Sequence, residues 1–134
     1  MKLFHALPAI ILALTLSGCG VLMDSVREAA GYPSAELMRA RKSAVTQSFD
    51  VAYDQSFEQA LKILEKMKAV TYAKNKKDRF VIAMKIEGCI DTTEVGIFFK
   101  EESPSKTSVE IFSRSPKAQN IVSTKIFTGL VEGK

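Results

Sequence analysis

A chain of 134 residues is one domain's worth, and with 46% hydrophobic residues it can bury a core of its own. A formal charge of +4 is too small to point to nucleic acid, and two cysteines, Cys19 and Cys89, are too few for a disulfide framework. No segment approaches the ~18 consecutive apolar residues of a membrane-spanning helix.

The first segment has the parts of an export signal. Lys2 supplies the positive n-region, with His5 nearby, and Ala6 to Leu16 is an uncharged, mostly apolar run. As a helix this run rises only ~16 Å at ~1.5 Å per residue, against a hydrocarbon core of about 30 Å, so it is too short to serve as a permanent span. Ser17 and Gly18 are the small residues of a cleavage site, and Cys19 follows them.

Leu16-Ser17-Gly18-Cys19, closing an apolar run at this distance from the start, resembles the lipobox of bacterial lipoproteins. The competing reading is an ordinary secretory signal followed by a chance cysteine. The resemblance implies that the Cys19 thiol carries a diacylglycerol thioether, that cleavage falls before it, and that its amine is acylated as well. Each buried CH₂ contributes about 0.8 kcal/mol, and two or more acyl chains anchor stably where one does not. By similarity to Gram-negative lipoproteins, Gly20 rather than Asp after the cysteine implies the inner leaflet of the outer membrane, facing the periplasm. Residues 1–18 are thus expected to be a signal peptide, 19–43 a lipidated tether, and 44–134 the domain.

Within the tether, Leu22, Val26 and Ala29/Ala30 recur at helical spacing before Gly31-Tyr32-Pro33 interrupts. Ser34 is placed to N-cap a short helix to about Ala40, with Glu36 in its first turn. Arg39, Arg41 and Lys42 follow, either a headgroup contact near the anchor or a solvated face.

In the domain, Val45, Gln47, Phe49 and Val51 alternate as on a strand. Asp54 is expected to cap the next helix, whose apolar stripe is Phe57, Ala60, Leu61, Leu64 and Met67. That stripe reads as core rather than as a ligand groove. Val70 and Tyr72 suggest a second strand, and Lys74 to Asp78 a polar turn. Phe80 to Ile86, Thr93 to Glu101 and Thr107 to Arg114 read as three more strands, the last two separated by a turn at Glu102-Ser103-Pro104-Ser105-Lys106. Ser115-Pro116 reads as N-cap and first residue of a closing helix.

The order β-α-β-β-β-β-α predicts an α+β fold: a two-layer, five-stranded, largely antiparallel sheet with two helices on one face. Phe98 and Phe112 fall on the parity opposite Ile97, Phe99 and Ile111. They are either an exposed aromatic interaction surface or the mark of misassigned faces. The order and the strand-then-helix pattern of Phe49, Asp54, Phe57, Ala60 and Leu61 resemble small single-domain lipoproteins and, distantly, domains of outer-membrane assembly lipoproteins. That resemblance carries no catalytic motif and transfers no functional residue.

Several chemistries lack their residues. His5 is the single histidine, and it leaves with the signal, which removes a Ser-His-Asp triad, a Cys-His pair and histidine-ligated zinc from the mature chain. No cofactor motif is present. Glu87, Asp91 and Glu94 are the carboxylates placed closely enough to consider for acid-base hydrolysis, and solvating roles compete with that. Lys74, Lys76, Lys77 and Arg79 are candidates for an anionic contact, or simply a solvated hairpin tip. With Cys19 lipidated, Cys89 is expected to be a buried free thiol, with a Cys89–Cys89 disulfide dimer as the less favoured alternative. The expectation is a non-enzymatic envelope lipoprotein that binds a protein partner, with binding of an apolar or anionic small ligand as the alternative. No nucleic acid, metal or cofactor is expected.

Overall fold

The computed structural model describes residues 32–133. Cys19 and the segments before and after it lie outside the described residues. The elements are helix α1 (Ala35–Arg39) running into a 3-10 turn (Ala40–Ser43), β1 (Val45–Phe49), α2 (Tyr53–Lys66), β2 (Val70–Asn75), β3 (Phe80–Met84), β4 (Val95–Ser103), β5 (Lys106–Ser113) and α3 (Pro116–Glu132). The five strands form one antiparallel sheet in the order β1-β5-β4-β3-β2. The fold is α+β, as the element order predicts.

Strands β2 to β5 form a meander, because short polar turns join β2 to β3 and β4 to β5. The first strand adds to the β5 edge, so α2 carries the chain across the sheet from one edge to the other. Its apolar stripe sets which face it covers: Phe57, Ala60 and Leu64 are buried against Val81, Ile97, Val109 and Ile111. Ala118, Val122, Ile126 and Leu130 of α3 join the same core. The two helices run antiparallel, Gly129 against Ile63 and Gly133 against Gln59, whose amide donates to the Gly133 carbonyl at 2.9 Å.

Helix ends follow their sequence chemistry with one exception. Ser34 accepts from the Leu37 N–H at 3.1 Å, and Ser115 accepts from the Ala118 N–H at 3.2 Å with Pro116 in the first position. Asp54 does not cap α2. The N-cap is Ala52, without a side-chain cap, and Asp54 sits one residue inside the helix, where its charge still faces the positive end of the dipole. Tyr53 takes the first helical position because its ring is core, packing edge-on to Phe57 and Phe99.

The second face of the sheet is covered too. Residues 34–43, expected to belong to the tether, pack on it. Leu37 is fully buried with Phe80, Ile82 and Phe112, and Met38, Ala40 and Ala44 pack around them. The domain therefore has a thin third layer, and the packed unit begins before residue 44.

Candidate functional site

The aromatic pair expected to be exposed lies under that third layer. Phe80, Phe98 and Phe112 form a ladder of stacked rings, with centroids 5.8 Å apart for the first pair and 5.0 Å for the second. The parity reading is right, since the rings do face away from α2 and α3. Exposure is the error: Phe112 is fully buried and Phe98 only half-exposed. Gly96 makes room for the ladder. It pairs across from Phe112, and a Cβ there would sit 3.1–3.2 Å from the Phe98 and Phe112 rings.

Polar ties hold the covering segment. Ser34 donates to Glu94 at 2.6 Å, and Tyr32 donates to Asp78 at 3.1 Å. Arg41 donates to Glu110 at 2.6 Å while its guanidinium lies 5.2 Å from the Phe98 ring centre. Arg114 pairs with Glu36. Gln119 of α3 bridges two elements, donating to the Ser43 carbonyl at 2.7 Å and accepting from the Ser113 N–H at 2.9 Å. The aspartate and its hydrogen bond raise the pKa of the Tyr32 hydroxyl.

The basic turn is only partly available. Lys76 lies 3.4 Å from Asp54 and 3.6 Å from Glu58 of α2, and Arg79 is 3.3 Å from Glu101 with its guanidinium over the Tyr53 ring. Lys74 and Lys77 remain exposed without an ion pair among the described residues. Internal pairing thus takes half of the four proposed anion contacts. Tyr53 donates to the Lys76 carbonyl at 2.6 Å, and burial pushes its hydroxyl up to about 12 despite the opposing Arg79 charge.

The three carboxylates near the β3–β4 connection do not form one cluster: Asp91 is exposed, and the other two face opposite layers. Glu94 faces α1 and is held by Ser34, whereas Glu87 lines a groove on the helix side of the sheet. No group of three or more His, Cys, Asp or Glu side chains comes together among the described residues. Cys89 is half-buried against the main core and is a free thiol.

Two features escape the sequence reading. The first is the outer edge of β1. Val45-Thr46-Gln47-Ser48-Phe49 is uncharged, pairs with β5 in unbroken register, and is solvent-exposed at its first four residues. The other edge, β2, is interrupted by a register shift at Thr71/Ala73 and carries Lys74, two ordinary guards against strand addition. The second is a groove of about 490 Å³ lined by Ile63, Lys66, Met67 and Lys68 at the end of α2, Glu87, and Ile121 and Lys125 of α3. The i,i+4 spacing of Ile121 and Lys125 and the i,i+3 spacing of Ile63 and Lys66 are the signals that put apolar and basic groups side by side.

Compared with known proteins, the chain matches no protein-family model, and no curated protein matches it in sequence.

Proposed function

We propose that this protein is an envelope lipoprotein, anchored in a membrane through lipidated Cys19, whose domain is a non-enzymatic interaction or assembly module. The observation that carries the interaction reading is the unguarded β1 edge. An uncharged, regular edge strand presents a row of backbone donors and acceptors to which an extended partner segment can add as a sixth strand. Here Val45, Gln47 and Phe49 share the face of Val109 and Ile111, while Thr46 and Ser48 lie on the α1 side, so an added strand meets different chemistry on its two faces.

The anchor reading rests on Leu16-Ser17-Gly18-Cys19. From Cys19 to Tyr32 the chain spans 13 residues, a reach of at most roughly 45 Å at ~3.3–3.6 Å per residue. Tyr32 is fixed beside the β2–β3 turn through Asp78, and β1 lies at the opposite edge of the sheet. The partner under this reading is another envelope protein, reached in the periplasm from the outer membrane.

A photo-crosslinking residue at Gln47 in the full chain tests the edge. A discrete adduct that disappears in the Thr46→Lys/Ser48→Lys double variant, with unchanged thermal unfolding, is the expected result; an adduct indifferent to both lysines would overturn it. For the anchor, Cys19→Ala should abolish fatty-acid incorporation and release the protein from membranes. Retention on the membrane by that variant would exclude lipid anchoring at this residue.

A further inference from the structure

Three lysines surround the groove at the end of α2, and none forms an ion pair among the described residues. One carboxylate, Glu87, shares the rim, so positive charge predominates. The floor is apolar: Ile63, Met67 and Ile121, all half-buried against the main core. Met67 adds a flexible, polarizable surface of the kind that adapts to irregular apolar ligands. The volume of about 490 Å³ lies in the range of small-molecule sites.

The backbone adds a second observation. Lys68 follows the C-cap Met67 and has φ +60°, the left-handed conformation that a helix terminus ordinarily gives to glycine. Its N–H donates to the Glu65 carbonyl at 2.9 Å and the next N–H to the Leu64 carbonyl at 3.0 Å, closing the helix as a glycine would. A lysine at this position is strained where glycine is not, and Lys68 lines the groove.

We infer that this groove binds a single-chain anionic phospholipid, with the acyl chain on Ile63, Met67 and Ile121 and the phosphate at Lys66, Lys68 and Lys125. An apolar floor selects for the chain, and a rim of three unpaired ammonium groups selects for the anion; neither a neutral lipid nor free phosphate uses both. The site lies on the helix face, so it stands apart from the β1 edge.

The test is binding of lysophosphatidylglycerol, below its micelle concentration, to the full chain, beside the matching monoacylglycerol and glycerol phosphate. Saturable binding of lysophosphatidylglycerol at least tenfold tighter than either control is expected. Lys66→Gln/Lys125→Gln should weaken it tenfold or more and leave the monoacylglycerol unaffected. Lys68→Gly separates binding from folding, because it should raise the urea midpoint while weakening lysophosphatidylglycerol several-fold. Equal binding of the two lipids, failure of the lysophospholipid to bind, or full affinity in Lys68→Gly would each overturn the assignment. A Gln47 adduct that persists in these variants keeps the outcome distinct from that of the β1 proposal.

Discussion

The Ser34 hydroxyl accepts from the Leu37 N–H at 3.1 Å and donates to Glu94, 60 residues further on, at 2.6 Å. One side chain therefore caps α1 and fastens it to the start of β4. The cap is legible locally, but the fastening exists only in the folded chain.

Ser34→Ala should lower stability by about 1–2 kcal/mol, the cost of a lost N-cap together with a partner withdrawn from Glu94. Urea denaturation measures it. A cycle with Glu94→Ala should be non-additive, because the two side chains share one hydrogen bond.

Leu37→Ala removes the fully buried side chain through which α1 seals the aromatic ladder. A loss of about 2–5 kcal/mol is expected, with new binding of a hydrophobic dye as Phe80, Phe98 and Phe112 become accessible. Phe112→Ser should be at least as costly, for it leaves a cavity and a buried hydroxyl. A stability near wild type for Phe112→Ser would mean that the ring is not core.

Gly96→Ala places a Cβ 3.1–3.2 Å from two stacked rings that are themselves packed beneath α1. The rings have little room to yield, so a loss of about 1–3 kcal/mol is expected. Near-ultraviolet circular dichroism should change with it. Gly129→Ala should also cost stability: its Cβ meets both Cδ1 and Cγ1 of the half-buried Ile63 where α2 and α3 approach, and a gain in helix propensity of about 1 kcal/mol only partly offsets the crowding.

Alkaline pH should weaken the fold through Tyr53. Its folded-state value of about 12 lies above the ordinary tyrosine value of 10.0, so between these pH values the unfolded chain gives up the proton first. The stabilisation is complete below pH 10 and is lost as pH rises through 12. Two units correspond to nearly 3 kcal/mol at most, and solvent screening of the part-buried hydroxyl reduces this to about 1–2 kcal/mol. Urea midpoints from pH 9 to 12 should show the decline, and Tyr53→Phe should flatten it.

Element identity was readable wherever the signal was local. The stripe of Phe57, Ala60 and Leu64, the strand starting at Phe80, and the Ser115-Pro116 start of α3 each appear where spacing and capping chemistry put them, although that strand ends at Met84 rather than Ile86. The Asp54 cap failed because core packing of the Tyr53 ring moved the helix start two residues toward the N-terminus, to an Ala52 cap. The Phe98/Phe112 surface failed for a different reason. Alternation tells which residues share a face, but not whether another part of the chain lies on it.

The Lys-rich turn and the carboxylates show the same limit. Lys76 and Arg79 look free beside their sequence neighbours, yet their partners Asp54, Glu58 and Glu101 come from other elements. Glu87 and Glu94 are seven residues apart and face opposite layers, because the chain turns between them. The basic groove was invisible for the converse reason: α2 and α3 supply its walls from segments more than 50 residues apart.

By itself, the sequence determined the kinds and order of the elements and the α+β class, because helix and strand periods are properties of neighbouring residues. It also carries the Leu16-Ser17-Gly18-Cys19 motif on which the anchor proposal depends. Only the tertiary structure decided which surface is open. Residues 34–43 bury the aromatic face, internal ion pairs consume half of the basic turn, and the β1 edge and the lysine-rimmed groove remain. Occlusion and pairing depend on segments brought together across the fold, which no local pattern encodes.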